Sequence, residues 1–469
     1  MNEDPATRSV HFLTAGCAGG MALAAAGTWL RFVFERTPRI DTHTWPFALA
    51  SAVSGAGLIA TGVCAFRLAP RAGRLSWRAL GWWTAVVHGL ALPALALTSS
   101  DVLTNLCFGA LSLAGLSPYT HAPSSLFDSP LVPLVPPRWV NDPSPYGPLF
   151  HPFARAAAWV GARASSPFWV PFFSLKALMI ASLLAGLAVA ARHLRRTRPA
   201  DATETFAALA FGPLLTWEIS AQGHNDALLV LAIVAFLAAA SAARETAAVA
   251  ALAAGVAVKY ALAPLLGLYL LLVARRSVGR AGALAVTAAL VLAAAFWPEA
   301  RSVTLRSVLP MIGGEATRHA HSFADLVCLV LDALALPGAS LLAYRFLSAV
   351  SVLLCASLLV HTAWRARTLE SLAHGYLLFL FGLYLTAPWF QPWYLSWGLP
   401  LLIVEPDARW RRFTVLFSIL TVVQWAVPFD PVTTVMGNVW AAWRILCLSR
   451  PTVGGLAAPG LASGPPALS

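Results

Sequence analysis

The sequence predicts an all-α polytopic membrane protein, and three observations carry that prediction. Of 469 residues, 58% are hydrophobic and 11% charged, with a mean hydropathy of +0.71; a soluble domain carries about 25% charged residues. Apolar runs recur along the whole chain at the length a helix needs to cross a bilayer, roughly 17–25 residues. The basic residues gather in short segments between those runs, so the net charge of +12 reads as orientation in a membrane rather than affinity for nucleic acid.

A backbone inside lipid must satisfy its own hydrogen bonds, so the runs are expected to be helices. The first, 11–34, follows MNEDPATRSV, whose two acids and single Arg make a poor signal-peptide start. LTAGC, ending at Cys17, faintly resembles a lipoprotein cleavage site, but the apolar stretch before it is short, and the span is expected to be retained. The next run, 46–66, closes on Arg67, Arg71, Arg74 and Arg78. The third, 79–100, holds no Asp, Glu, Lys or Arg and stops at Asp101.

From 100 to 167 the chain is long, proline-rich and aromatic, with Pro130, Pro133, Pro136, Pro137, Pro143, Pro145 and Pro148. Loops of that length without regular structure are functional or disordered. Two apolar stretches of helical period inside it, 102–115 and 149–163, suit helices lying in the interface plane. The remaining long runs are 168–191, 205–221, 227–243, 282–297, 339–363, 371–388 and 413–428; shorter or broken ones are 247–258, 260–274, 393–404 and 433–449. The sequence thus predicts between 11 and 14 helices in one domain, 1–451, with a Gly/Pro/Ala/Ser-rich tail, 452–469, expected to be disordered. The six cysteines (17, 64, 107, 328, 355 and 447) are scattered without a C-x-x-C, which suggests neither a disulfide framework nor a metal site.

Charge sets the orientation. One set of short segments (67–78, 192–204, 244–246, 275–280, 365–370, 406–412) holds 17 Lys and Arg in 47 residues; the opposite set (35–45, 100–167, 298–322) holds 8 in 104. The first set is therefore expected in the cytoplasm. Both termini follow it there if all 14 helices form. This orientation puts Asp101, the GHND tip at 223–226 and the VKY tip around Lys259 on one external side.

Several residues stand out against so apolar a background, each with a structural alternative. Asp101 suits a general base at the external face, or a helix N-cap for 102–115. Lys176 and Lys259 are the only lysines. Lys259, at the tip of a hairpin too short to cross fully, suits a phosphate as a point charge, or snorkels from a helix end. Lys176 lies inside a span, with Glu218 as its expected salt-bridge partner. His224, Asn225 and Asp226 form a polar tip between two spans; Asn225 or Asp226 could cap the helix that follows, which leaves His224 least explained by structure. Arg318, His319 and His321 make a basic external patch suited to phosphate or to plain solvation. Trp389, Gln391, Trp393 and Trp397 fit an interfacial aromatic belt, or a sugar or polyprenyl site in which rings stack on aromatic faces.

Four stretches, in order, resemble the GT-C superfamily of integral membrane glycosyltransferases. They are SSDVLTNLCFGALSLAGLSPYTHAP, SPYGPLF, the segment from GHND through VKYALAPLL, and PWFQPWYLSWGLPLL. The closer resemblance is to the bacterial polyprenyl-phosphate-mannose-dependent α-1,6-mannosyltransferases, over roughly residues 95–405. It implies a general base in the first large external loop, here Asp101. Family members often show a second acid beside the first, then a Tyr and a basic residue; here Ser100 precedes Asp101 and Val102, Leu103 and Thr104 follow.

The resemblance implies an inverting transferase in the bacterial inner membrane. It would move a sugar, by resemblance mannose, from a polyprenyl phosphate to a glycan or glycolipid on the external face. Asp101 would be the base, with Lys259, Arg318 and His321 at the donor phosphate and Tyr119, Tyr146, His224, Asn225, Asp226, Trp389, Gln391 and Trp393 around the substrates. The chain has no D-x-D pair, so neither a metal nor another cofactor is expected. The alternatives are a transporter or flippase, which intramembrane charges suit equally, and a scaffold without activity.

Overall fold

A computed structural model describes residues 4–35, 45–96, 99–300 except 165 and 167, 302, 322–334, 336, 338–388, 390–426, 443–445, 447 and 448. Among them every regular element is helical. The long helices are α1 (Pro5–Glu35), α2 (Trp45–Leu68), α6 (Trp169–Thr197), α11 (Val278–Phe296), α13 (Ala339–Arg365), α14 (Leu369–Thr386) and α15 (Ala408–Ala426). The shorter ones are α3 (Trp77–Ala91), α4 (Asp101–Leu113), α5 (His151–Arg163), α7 (Ala202–Ala210), α8 (Asp226–Ser241), α9 (Glu245–Val256), α10 (Ala263–Ala274) and α12 (Phe323–Ala333). Six segments among the described residues are long and apolar enough to cross a membrane: Pro5–Val33, Ala48–Arg74, Trp169–Thr197, Val278–Glu299, Ala339–Arg365 and Leu369–Thr386. The chain is an all-α polytopic membrane protein.

Two expected spans are not single helices. The 79–100 run is helical only to Ala91, because Pro93 lies two residues on and cannot continue the ladder. The 205–221 run breaks at Gly212-Pro213 into α7 and a π-helix, Leu214–Ala221, whose eight residues are all buried. The interfacial candidates 102–115 and 149–163 correspond to α4 and α5, which pack together closely: a Cβ on Gly109 would fall 2.2 Å from the carbonyl oxygen of Ala154. The 433–449 run lies mostly, and the 452–469 tail wholly, outside the described residues.

α1 and α2 form a close antiparallel pair. A Cβ on Gly57 would lie 2.5 Å from the backbone of Ala24 and Gly20, so only small residues let the two backbones meet. A fully buried core lies around the π-helix, α6 and α8, where Trp217, Phe236, Leu183 and Leu229 are inaccessible. His88 of α3 reaches into this core, with Nδ1 2.7 Å from Ser220 Oγ and Nε2 3.0 Å from the carbonyl of Ala210. α13 lies outside it, with Leu342, Phe346, Leu353 and Trp364 each more than three-fifths exposed, as a lipid-facing helix requires.

One charge is built into the core. The Lys176 ammonium, wholly buried, donates to the carbonyls of Leu92 (2.6 Å), Ala91 (3.4 Å) and Ala94. They belong to the last residue of α3 and to the turn just beyond it, where the helical ladder has ended. The expected Lys176–Glu218 salt bridge is replaced by this capping, and Glu218 faces His224 instead.

Candidate active site

Five segments converge at one end of the bundle: the start of α4, residues 144–149, the turn before α8, the α9–α10 tip, and a 3-10 helix, Pro392–Trp397. Asp101 is the first residue of α4. The N-cap position weighed for Asp101 belongs to Ser100, which makes no side-chain cap. Its carboxylate sits where the positive end of the helix dipole favours negative charge. Oδ2 accepts from the Tyr146 hydroxyl at 3.4 Å and lies 3.6 Å from His224 Nδ1. About a quarter of the Asp101 side chain, 23%, remains exposed, so a substrate hydroxyl can reach it.

His224 is buried between two acids. Its Nε2 lies 3.8 Å from Glu218 Oε2, and its ring stacks on Trp393 at 4.0 Å with 24° between planes. Burial, and then the Lys259 cation, holds the imidazole well below its usual pKa and therefore neutral. At 3.6 and 3.8 Å both carboxylates stand beyond hydrogen-bond distance, and the buried Nε2 has no hydrogen-bond partner. The adjacent Gly223 has φ +73°, and a Cβ there would fall 2.8 Å from Lys176 Cγ, so the turn that aims His224 demands glycine.

Asp226 opens α8 but does not cap it; nor does Asn225, at the N-cap position. The wholly buried Asp226 carboxylate instead takes Lys259 Nζ at 3.1 and 3.3 Å and the Trp397 indole N–H at 2.5 Å. Lys259 also lies over the rings of Tyr146 (5.8 Å), Tyr394 (5.4 Å) and Trp397 (5.2 Å). A buried ion pair persists only when further hydrogen bonds and close geometry offset its desolvation; the indole and the aromatic walls supply them here.

The α9–α10 tip is fixed to the long loop by its backbone. The Gly147 N–H donates to Val258 O at 2.8 Å and the Leu149 N–H to Ala257 O at 3.0 Å. Tyr119 stands one layer behind: its hydroxyl donates to the Tyr146 carbonyl at 2.9 Å, and its ring lies 4.9 Å from His151. Asn225 is buried with its amide nitrogen unpartnered. Gln391 is buried at the start of the 3-10 helix, where its carbonyl accepts from the Tyr394 N–H at 3.0 Å. Arg318, His321 and Trp389 lie outside the described residues.

Asp101, Tyr146, His224, Asp226, Lys259 and Trp393 are thus brought together. Sequence reasoning missed Glu218 as the partner of His224, and the Trp397 indole as a ligand of Asp226; an acid in an apolar run was the only signal for the first. Among the described residues no three His, Cys, Asp or Glu side chains gather closely enough to hold a metal ion.

Comparison with curated proteins and with solved structures gives no match. Residues 9–275, more than half the chain and including Asp101, Tyr146, His224, Asp226 and Lys259, match the model of the MptA_B family, described as alpha-(1->6)-mannopyranosyltransferase, N-terminal domain. The polytopic helical fold, with its carboxylate, imidazole and lysine gathered at one end, therefore belongs to a member of the alpha-(1->6)-mannopyranosyltransferase family.

Proposed function

We propose that the protein transfers mannose from a polyprenyl phosphate to a hydroxyl of a glycan or glycolipid, on the extracytoplasmic face of a bacterial plasma membrane and with inversion. One observation carries the reading: Tyr146 touches both the carboxylate of Asp101 and the cation of Lys259. A base and a phosphate-binding charge are therefore both gathered around one side chain. A single displacement needs both at one sugar, the base by the attacking hydroxyl and the cation by the leaving phosphate.

Asp101 takes the proton of the acceptor hydroxyl as its oxygen bonds to the anomeric carbon. The bond from that carbon to the phosphate oxygen breaks, and polyprenyl phosphate leaves with the electron pair. A positioned base contributes about 10²–10⁴-fold. Lys259 donates to the Asp226 carboxylate and keeps 14% of its side chain exposed; an ammonium has three donors, and a remaining one serves the phosphate, where charge develops. Arg318 and His321 are proposed beside it. Trp389, Gln391 and Trp393 are proposed as the sugar or polyprenyl wall, with Tyr119 and Asn225 supporting it. The sparse basic residues on this side, against the arginine-rich far end, support the extracytoplasmic assignment.

The test is transfer by purified protein in detergent, with radiolabelled polyprenyl-phosphate mannose and a panel of mannosyl acceptors, wild type beside Asp101→Asn. Transfer that the variant loses supports the reaction and the base together. Full transfer by Asp101→Asn overturns the base. An intact donor with every acceptor, and with other polyprenyl-phosphate sugars, overturns the transferase reading.

A further inference from the structure

A second charged site lies at the other end of α10 from Lys259. Arg275 and Arg276, just past the end of α10, meet Trp364 and Arg367 at the end of α13 around a groove of about 660 Å³, with Leu272 as its floor. Among the described residues none of the three guanidiniums meets a carboxylate. Arg275 donates through Nη1 to Ala366 O (3.3 Å) and through Nη2 to Ala363 O, Arg276 Nη2 to Arg367 O (3.4 Å), and Arg367 Nη1 to Trp364 O (2.8 Å) and Ala366 O (3.3 Å). The nearby Glu245 is occupied by Arg280 at 3.5 Å. Each guanidinium has five donors in a planar fork, so most of them are left for an anion. Two helix C-termini attract the cations here, but they do not neutralise them.

We infer that this groove binds the phosphodiester headgroup of an anionic phospholipid. The walls distinguish a lipid from a soluble phosphate. Leu342, Phe346, Leu353, Val360 and Trp364 are 71, 65, 67, 65 and 71% exposed. Their spacing places them on one face of α13, as an apolar track that ends at the arginines. An acyl chain follows that track, the indole of Trp364 sits at headgroup level, and the phosphate meets the planar forks, which match its geometry. Basic pockets between membrane helices recognise anionic headgroups in this way.

The experiment counts lipids that remain with the full-length protein after purification in mild detergent, by native mass spectrometry, after incubation with equimolar phosphatidylglycerol and phosphatidylcholine. Wild type is expected to retain phosphatidylglycerol preferentially. Arg276→Gln with Arg367→Gln is expected to lose about fivefold of that preference for each charge removed. Arg275 is left unchanged because it ties α10 to α13. Arg276→Lys with Arg367→Lys, which keeps the charge but not the fork, is expected to fall between the two.

Equal retention of the two lipids by wild type overturns the inference, whether or not the variants fold. So does an unchanged preference in a monodisperse Gln variant. A third arm adds inorganic phosphate at millimolar concentration to lipid-free protein. Thermal stabilisation by phosphate equal to that by phosphatidylglycerol overturns the lipid assignment in favour of a soluble anion. Stabilisation by the lipid alone supports it. None of these readouts depends on sugar transfer, so the site stands or falls apart from the proposed reaction.

Discussion

His224 Nδ1 lies 3.6 Å from Asp101 Oδ2, and the opposite ring nitrogen lies 3.8 Å from Glu218 Oε2. The imidazole is therefore a spacer that holds the candidate base against a second, wholly buried acid, with Trp393 stacked on its face. His224→Phe keeps the stack and removes both nitrogens. It is expected to lower kcat on the order of 10²-fold, with KM little changed, because a mispositioned base acts in the transition state rather than in binding. Steady-state kinetics across pH would check this; a variant as active as wild type with the same profile would remove His224 from the site.

Lys259 and Asp226 form the buried pair beside it, at 14% and 0% side-chain exposure. Breaking such a pair from one side leaves an uncompensated buried charge and costs about 3–5 kcal/mol, while removing both charges costs less than the sum. Lys259→Met alone should therefore lower Tm more than the double variant Asp226→Asn with Lys259→Met. Both should lose transfer if the cation serves the phosphate. Additive shifts in Tm across the cycle would show that the two side chains are not coupled.

Much of this site was legible in the sequence because charge is rare in it. Asp101, His224, Asp226 and Lys259 stand out in an apolar chain, and the alternation of arginine-rich segments predicts that they share one side. What each charge touches was not legible. Glu218 was expected to pair with Lys176, since both lie in apolar runs. The chain around Glu218 is a π-helix, whose wider turn points the side chain where a 3.6-residue period does not place it. Lys176 answers to carbonyls released more than 80 residues earlier, where Pro93 ends a run that by composition alone reads as one span. Asn225 and Asp226 have the composition of caps, yet tertiary partners claim Asp226 and neither caps α8.

Gly147 is where the long loop grips the α9–α10 tip. A Cβ there would fall 2.1 Å from the carbonyl oxygen of Ala257, so the backbone has to move and the Gly147–Val258 hydrogen bond is lost. Gly147→Ala is expected to destabilise the protein by about 1–3 kcal/mol and to cut transfer further than that loss of stability explains, because Tyr146 and Lys259 separate. Proteolysis of the 144–149 region beside an activity assay would show it; an alanine variant with normal activity would mean that the tip and the loop need not touch.

Acid stability has a specific source in His151, at the start of α5. Burial pushes its pKa from 6.5 down to about 4. The unfolded chain therefore binds a proton that the folded chain excludes between those values, and stability falls as pH falls through the window. The full effect is roughly 3 kcal/mol and is absent above the unfolded value. His151→Phe should flatten the dependence of Tm on pH over the same range by about one proton. An unchanged slope would place the titration elsewhere.

Lys176 ties the site to the core. Its ammonium gathers carbonyls at 91, 92 and 94, and its stem packs beneath Gly223. One buried side chain thus fixes both the segment that leads to Asp101 and the turn that presents His224. Lys176→Met keeps the apolar length and removes the donors, costing about 1–3 kcal/mol at each of the Leu92 and Ala94 carbonyls, while Ala91 O keeps the Ala94 N–H at 3.2 Å. The expected result is a lower Tm together with faster hydrogen–deuterium exchange confined to 92–102 and 222–226, while α1, α2 and α13 exchange as in wild type. Uniform loosening of the whole bundle would make Lys176 a general stability residue. Local loosening at those two segments, accompanied by a fall in kcat, would make it the strut that holds base and imidazole in register.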